Sequence, residues 1–243
     1  MNGIPMFSPL QADYGEKYQD RPRLDVMGLL AFPFQSVLEI GCGCGATGQA
    51  VKLKFPGVTY YGVELDPVAA ASARTVLDRV ITGNIEALDL EYYDIRRNMF
   101  DVIICADVLE HLYDPWKAVG VFHRYLRSGG RVVASIPNVQ NVRLLRGLVG
   151  GRWTYSDQGL LDATHLRFFT LHEAGQLFVR NGYEVEQVIS ICDNDMPTGG
   201  PWPRDIDLGR LVVKQVMAED VQRLFTFQYL IRVRSVVAGG GAL

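Results

Sequence analysis

Apolar residues recur along this chain in two alternating patterns. Short aliphatic runs suited to strands buried on both faces occupy 36–40, 58–63, 79–82, 99–105, 131–136 and 183–192, with a last run at 224–236. Segments of helical composition lie between them at 46–55, 67–79, 114–126 and 170–181. Their ends carry the punctuation helices need. Pro67 stands at a favoured first helical position, Asp114 precedes Pro115, and Thr170-Leu-His-Glu173 is a capping box whose helix stops at Gly182. Ser128-Gly129-Gly130 reads as the turn from the third of these helices into the strand at 131–136. Five strand–helix units in this order predict an α/β fold built on a parallel, doubly wound sheet.

The remaining segments break the alternation. Residues 1–20 are mixed in composition, and Arg21-Pro22 opens a helix predicted through 31, with Leu24, Met27, Leu29 and Leu30 for burial. Residues 88–98 read as a polar surface loop. A short helix at 142–149 is followed by a loop bearing Trp153 and Tyr155, then by Asp162, His165 and Arg167. Residues 194–204 are rich in proline and glycine, a further helix is expected near 208–221, and 238–242 reads as a disordered tail.

Glycines organise the first strand–helix unit. Gly41, Gly43 and Gly45 follow the strand at every second position and feed the helix that starts at Ala46. Such spacing lets the backbone turn sharply and removes side chains between it and a ligand. The helix N-terminus then offers its N–H groups to that ligand. A nucleotide-like small molecule is therefore expected across this turn. Gly43-Cys-Gly45-Ala-Thr-Gly48 also satisfies the dinucleotide pattern G-x-G-x-x-G, so the glycines alone do not decide which nucleotide. Glu64, at the end of the second strand, is placed to accept both ribose hydroxyl protons, and Leu65 follows it. That device too is shared by both classes.

Composition narrows the field. With 243 residues, 48% of them hydrophobic and 21% charged, the chain suits one soluble domain with decorations. We divide it into an N-terminal cap segment (1–35), a core (36–138) and a C-terminal part of the same domain (139–243), with insertions at 139–168 and 193–220. A net charge of −3 gives no electrostatic case for nucleic acid as a partner. No apolar run is long enough to cross a bilayer, and no leader pattern stands at the N-terminus, so a cytoplasmic protein is expected. The cysteines at 42, 44, 105 and 192 are expected to be reduced and non-catalytic. Zinc pairs usually have at least two residues between them, so the Cys42-x-Cys44 spacing predicts no metal site.

Glu39 tips the balance between the two nucleotides. An acid two residues before Gly41 is ill suited to an anionic pyrophosphate and suits an ammonium or sulfonium group. The string Glu39-x-Gly41-x-Gly43-x-Gly45 resembles the first motif of class I S-adenosylmethionine (SAM) dependent methyltransferases. Asp107-Val-Leu-Glu-His111 resembles the post-strand motif of those acting on quinones, sugars and other small acceptors. Leu126-x-x-Gly129-Gly130-x-x-x-x-Ser135-Ile-Pro-Asn138 completes the pattern. The resemblance covers nearly the whole chain and is closest to bacterial small-molecule methyltransferases, including those found with polysaccharide-building enzymes.

The resemblance implies a Rossmann-like sheet with a reversed last strand beside the sixth, which 224–236 can supply. It implies SAM as cofactor and S-adenosylhomocysteine as product, bound by Gly41, Cys42, Gly43, Glu64 and Leu65. Asn84 replaces the family's acid towards the adenine amino group, and its side-chain oxygen still accepts that bond. Ile85 packs on the ring, and Ala106 and Asp107 border the methionine part. Tyr14 or Tyr18 folds over the cofactor and Arg21 meets its carboxylate, unless this segment is a loosely held tail. His111 faces the acceptor, and an imidazole suits general-base work at neutral pH; the competing reading is a helix-start histidine satisfying local backbone groups. Trp153, Tyr155, His165 and Arg167 either line the acceptor site or belong to a lid in which Arg167 pairs with Asp162.

The expected reaction is methyl transfer from SAM to a small-molecule acceptor, at a hydroxyl oxygen of a sugar, a polysaccharide precursor or a quinol-like compound. A divalent cation near Asp107 and Glu110 is an alternative helper to His111 alone. A non-catalytic SAM-binding protein remains a competitor. An NAD-dependent oxidoreductase would explain the glycines and Glu64 but not Glu39 or the Asp107–His111 motif. The insertion at 193–220 is expected to serve a substrate lid or a homodimer face.

Overall fold

The computed structural model describes residues 21–236. In chain order it contains α1 (Leu24–Met27), β1 (Ser36–Ile40), α2 (Ala46–Lys54), β2 (Thr59–Glu64), α3 (Pro67–Ala73), β3 (Arg79–Thr82) and β4 (Phe100–Ala106). It continues with α4 (Pro115–Phe122), β5 (Leu126–Pro137), α5 (Val142–Val149), α6 (Leu171–Val179), β6 (Tyr183–Cys192), β7 (Arg204–Asp207), β8 (Val212–Val216), α7 (Ala218–Phe225) and β9 (Thr226–Ser235). Seven strands form one sheet in the order β3-β2-β1-β4-β5-β9-β6, and β7 pairs with β8 in a separate hairpin. Strands β1 to β5 are parallel to one another, whereas β9 runs antiparallel between β5 and β6. The expected mostly parallel sheet with a reversed last strand is therefore present. Tyr14, Tyr18 and the tail at 238–242 lie outside the described residues.

Helices cover both faces of the sheet, which is why its strands read as unbroken apolar runs. All five residues of β1 are buried. Leu38 and Ile40 join Phe122 of α4 and Leu177 of α6 on one side. On the other side Val37 packs with Val26 of α1, Val51 of α2 and Ala70 of α3. Among the described residues no helix is long and apolar enough to cross a membrane.

Several expected elements change. The helix predicted for 21–31 shrinks to the single turn of α1. The loop at 88–98 contains a 3-10 turn, Leu90–Tyr93, that buries Leu90, and Ile95 follows it into the core. The Ser128-Gly129-Gly130 turn lies inside β5, where Gly129 adopts φ +70° and the register with β4 shifts between Phe100 and Val102. Leu126 is buried opposite Phe100, so the strand begins before the glycines and bulges across them. The helix expected near 208–221 is instead strand β8 followed by α7. Gly209 (φ +92°) closes the hairpin turn, and the β-branched run Val212-Val213 favours strand over helix. Ile206, Leu208 and Val216 form a satellite core with Val142 of α5 and Val221, Leu224 and Phe225 of α7.

Two fully buried asparagines tie that satellite to the sheet. The Asn138 amide donates to the carbonyls of Arg223 (2.8 Å) and Thr226 (2.9 Å), and its oxygen accepts the Gln140 N–H. Asn141 donates to Asp193 and to the same Thr226 carbonyl, and its oxygen caps α5. Replacing Asn138 by alanine strands the Arg223 carbonyl, and a buried unsatisfied group costs about 1–3 kcal/mol. Urea denaturation of N138A is expected to show a loss of that order. An unchanged midpoint would mean that the α7–β9 junction does not rely on this side chain.

Candidate active site

The carboxyl ends of β1, β2 and β4 meet at the glycine turn. Gly41, Gly43 and Gly45 have φ of +71°, +53° and +88°, a region that side chains rarely tolerate. The Gly41 and Cys42 N–H groups donate to the Val63 carbonyl at 2.8 and 3.1 Å. A Cβ on Gly41 would lie 2.6 Å from the Val108 side chain, and one on Gly45 2.7 Å from Val76. The Glu64 carboxylate, 3% exposed, accepts the N–H of Gly43 (2.8 Å) on one oxygen and that of Asp66 (2.9 Å) on the other. It therefore joins the end of β2 to the middle of the glycine turn.

Glu39 does not stand on the cleft wall, as an acid meeting a ligand's ammonium would. It is 2% exposed beneath the turn, where the Tyr60 hydroxyl donates to it at 2.9 Å. Burial, aided by the charge of Glu64, pushes its carboxyl up to about 8. Cys42 also points inward. A Cβ on Gly62 would sit 2.5 Å from its Sγ, so only the Cys42 backbone can face a ligand. None of the four cysteines forms a disulfide.

Beyond β4 the chain turns through Asp107 at φ +55°. A left-handed non-glycine residue costs about 1–2 kcal/mol, and three contacts hold it. Its N–H donates to Ser135 Oγ (2.9 Å), Ser135 Oγ–H donates to its Oδ1 (2.6 Å), and the Arg23 guanidinium binds its Oδ2. The Arg23 N–H in turn donates to Thr47 of α2 at 3.2 Å. Arg23, rather than the exposed Arg21, thus reaches this loop.

The 3-10 turn Leu109–His111 follows. The Glu110 carbonyl accepts the N–H groups of Leu166 (2.8 Å) and Arg167 (3.0 Å), which draws residues 160–168 over the β4 loop. Its side chain is 1% exposed, and neither carboxylate oxygen has a hydrogen-bond partner among the described residues. Burial, then the charge of Asp107, raises its carboxyl well above the ordinary range. His111 Nδ1 lies 3.3 Å from the Thr164 carbonyl and 3.0 Å from Thr164 Oγ1, and that hydroxyl donates to Asp162 at 2.7 Å. A carbonyl only accepts, so the proton sits on Nδ1 and the lone pair on Nε2. The same logic fixes His165, whose Nδ1 lies 3.3 Å from the Leu160 carbonyl. The two rings meet edge-on with centroids 4.7 Å apart. Burial, and next the nearby His111, lowers the His165 pKa below its usual value.

Comparisons with known proteins decide the class. A family model described as a methyltransferase domain matches residues 38–132. The ubiquinone biosynthesis O-methyltransferase of Pseudomonas aeruginosa strain LESB58 is 27% identical over 183 residues, spanning 74% of this chain and 78% of the relative. The enzyme of the same name from Pseudomonas syringae pv. tomato is 27% identical over 73% of this chain and 77% of its own. A SAM-dependent methyltransferase structure from Archaeoglobus fulgidus superposes with a TM-score of 0.60 at 16% identity, covering 91% of this chain and 98% of that one. Together with the fold they support a class I SAM-dependent methyltransferase. The dinucleotide reading of Gly43 to Gly48 and the non-catalytic reading are thereby set aside.

The methyltransferase's own residues fit SAM at the glycine turn. A carboxylate at the end of β2, beside the glycine turn, has the acceptor chemistry that paired ribose hydroxyls require. Leu65 is 66% exposed beside it, and Ile85 is half-buried. Asn84 is exposed, and its side-chain oxygen closes a turn by accepting the Glu86 N–H at 2.9 Å. Ala106 is the last residue of β4 and adjoins the Asp107 turn. In the segment after α5, Trp153 meets Phe168 edge-on at 5.5 Å, and Tyr155 is 49% exposed. Arg167 does not pair with Asp162. It donates to the carbonyls of Leu166 and Tyr113 and lies over the Tyr113 ring.

Substitution checks both carboxyls. Glu64→Ala removes the expected ribose acceptor and strands two backbone N–H groups, and charge-assisted bonds contribute about 1.5–3 kcal/mol each. Calorimetry is expected to show at least a tenfold weaker SAM affinity with the fold retained by circular dichroism; undiminished affinity would displace the ribose from Glu64. Glu39 acts on stability. Its folded pKa of about 8 exceeds the ordinary 4.5, so the folded state holds the proton more tightly than the unfolded one. The wild type should therefore lose stability relative to Glu39→Gln as pH rises through that interval. Parallel denaturation curves at both ends of the interval check the sign, and a constant difference between the proteins would refute it.

Proposed function

We propose that this methyltransferase transfers the methyl group of SAM to a hydroxyl oxygen on a small ring-shaped acceptor, with phenols of quinol type as the preferred class. The observation that carries the reading is the corner formed by His111 and His165 beside the β4 loop, where both imidazoles are held with their lone pairs on Nε2. An amine acceptor can present its own lone pair. A hydroxyl must lose its proton as it reacts, and a cluster of oriented imidazoles serves that need. The relatives named as ubiquinone biosynthesis O-methyltransferases support oxygen as the acceptor atom. Trp153, Tyr155 and Phe168 give the neighbouring segment aromatic faces suited to a flat ring.

SAM supplies an activated methyl group on a sulfonium, so the protein's share of the work is alignment, exclusion of water and care of the acceptor proton. The glycine turn and Glu64 fix the cofactor side. The Glu110 carbonyl fixes the acceptor side to it by holding Leu166 and Arg167. His111 acts on the hydroxyl, kept in one tautomer by Thr164, which Asp162 orients in turn. We place acceptor selectivity in residues 139–168 and in the β7–β8 hairpin.

His111→Ala is expected to keep SAM affinity and lose about 10²–10⁴-fold in turnover, the usual effect of removing a group that handles the proton. The assay is methyl transfer from labelled SAM to a panel of phenols, sugars and amines. Transfer confined to amines, or full turnover by His111→Ala on a phenol, would reject the reading.

A further inference from the structure

We propose that Arg204, at the start of the β7–β8 hairpin, binds an oxyanion, carboxylate or phosphate, carried by the acceptor. The proposal deepens the reading that this hairpin selects the acceptor. It rests on that reading for the anion's source, though not for the anion's binding.

Arg204 opens β7 with hydrogen-bonding capacity that the protein does not use. Its Nε and Nη2 are both buried, and neither has a hydrogen-bond partner among the described residues. These two atoms form one edge of the planar guanidinium, the fork that grips a carboxylate or phosphate through parallel bonds. A buried donor without an acceptor is costly, and more so when it carries charge. A lysine or a carboxyl could escape by changing its protonation. Arginine cannot, because its guanidinium stays charged. An anion is the partner this edge lacks.

The acids nearby in sequence are engaged elsewhere. Asp205 accepts the Gln215 N–H at 3.0 Å, and Asp207 accepts that of Gly209 at 2.7 Å. Asp193 pairs with Arg143 at 2.8 Å and accepts from Asn141. Trp202 fixes the plane of the guanidinium, its ring centroid 4.2 Å from Cζ, and so fixes the direction of the unused edge. Trp202 is itself seated against the satellite core. The exposed stretch 198–201 crosses the same group. Gly200 has φ +94°, and a Cβ there would lie 3.0 Å from Nη1. Gly199 and Gly200 bring no side chains into the packing, so this cover can lift from the arginine without unmaking core contacts.

The hairpin stands on the reaction side of the sheet. Strands β5 and β6 both run antiparallel to β9, so Cys192 lies at the same carboxyl end as the glycine turn. Ligands of such sheets bind outside those ends. Ile206 and Leu208 pack with Val142, just past the end of β5. The segment that bears His165 comes to the same region, since a Cβ on Gly159 would stand 4.0 Å from the Phe227 ring. Arg143, Cys192, Asp193 and Phe227 border a cavity of about 300 Å³ there. The chain that leaves this cavity at Asp195 leads directly to Arg204.

The test uses the full chain saturated with S-adenosylhomocysteine and titrated in a calorimeter with benzoate and, separately, with inorganic phosphate. One of the two is expected to bind one-to-one, and its identity names the class of substituent. Arg204→Ala should weaken that binding at least about tenfold. Arg204→Lys should restore only part of it, because an ammonium cannot form the paired bonds. Binding of neither anion, or equal binding by wild type and Arg204→Ala, overturns the proposal. In the transfer assay the readout is the ratio of kcat/KM for protocatechuate over catechol and for a hexose phosphate over the free hexose. The ratio for the favoured pair should fall at least about tenfold in Arg204→Ala. An unmoved ratio accompanied by lower thermal stability would make Arg204 a structural group stacked on Trp202 and overturns its role towards the acceptor. Failure of the hydroxyl reading shows up separately, as transfer to amines alone with the anion titration intact.

Discussion

The carboxylate of Glu64 accepts backbone N–H groups from Gly43 and Asp66, and the arrangement above the sheet depends on the turn those bonds fix. Glycines permit φ values of +53° to +88° but do not choose them. An acceptor at the end of β2 makes one conformation preferable to the rest. The group that shapes the turn is also the one proposed to receive the cofactor ribose. Structure and binding are therefore hard to separate at this residue.

Two other buried carboxyls near the turn differ in kind. Glu39 has the Tyr60 hydroxyl as a partner and a pKa raised to about 8, so it can remain neutral at modest cost within the core. Glu110 has no such partner among the described residues. One is a satisfied group under the floor of the site, the other an unsatisfied group at its working edge. Their motifs give no hint of this difference, since both acids sit near a strand's carboxyl end.

Much of the sheet was legible because strands buried on both faces write continuous apolar runs, and because Pro67, Asp114 and Thr170 mark helix starts unambiguously. The segment at 208–221 was not, since its four-residue turn around Gly209 and its short strand Val212–Val216 fall below the length at which periodicity separates strand from helix. Glycine turn and ribose acid were readable as motifs. Side-chain direction was not. Cys42 lies in the motif yet points at Gly62, and Arg167 chooses Tyr113 over the nearby Asp162. The Arg23–Asp107 pair joins residues 84 apart, a distance across which no local pattern carries information.

That pair shows how the two halves of the site are joined. Asp107 keeps its left-handed backbone only because Ser135 at the end of β5 and Arg23 beside α1 both hold its side chain. Three residues later the Glu110 carbonyl takes two N–H groups from the segment that bears His165. A change in the Asp107 turn is therefore transmitted along a short, stiff stretch to the imidazole corner. Arg23 meanwhile is pinned through its own N–H to Thr47, in the helix that leaves the glycine turn. Glycine turn and imidazole corner are thus connected by hydrogen bonds through one loop, which under the proposed reading is a direct physical route for aligning the two reactants.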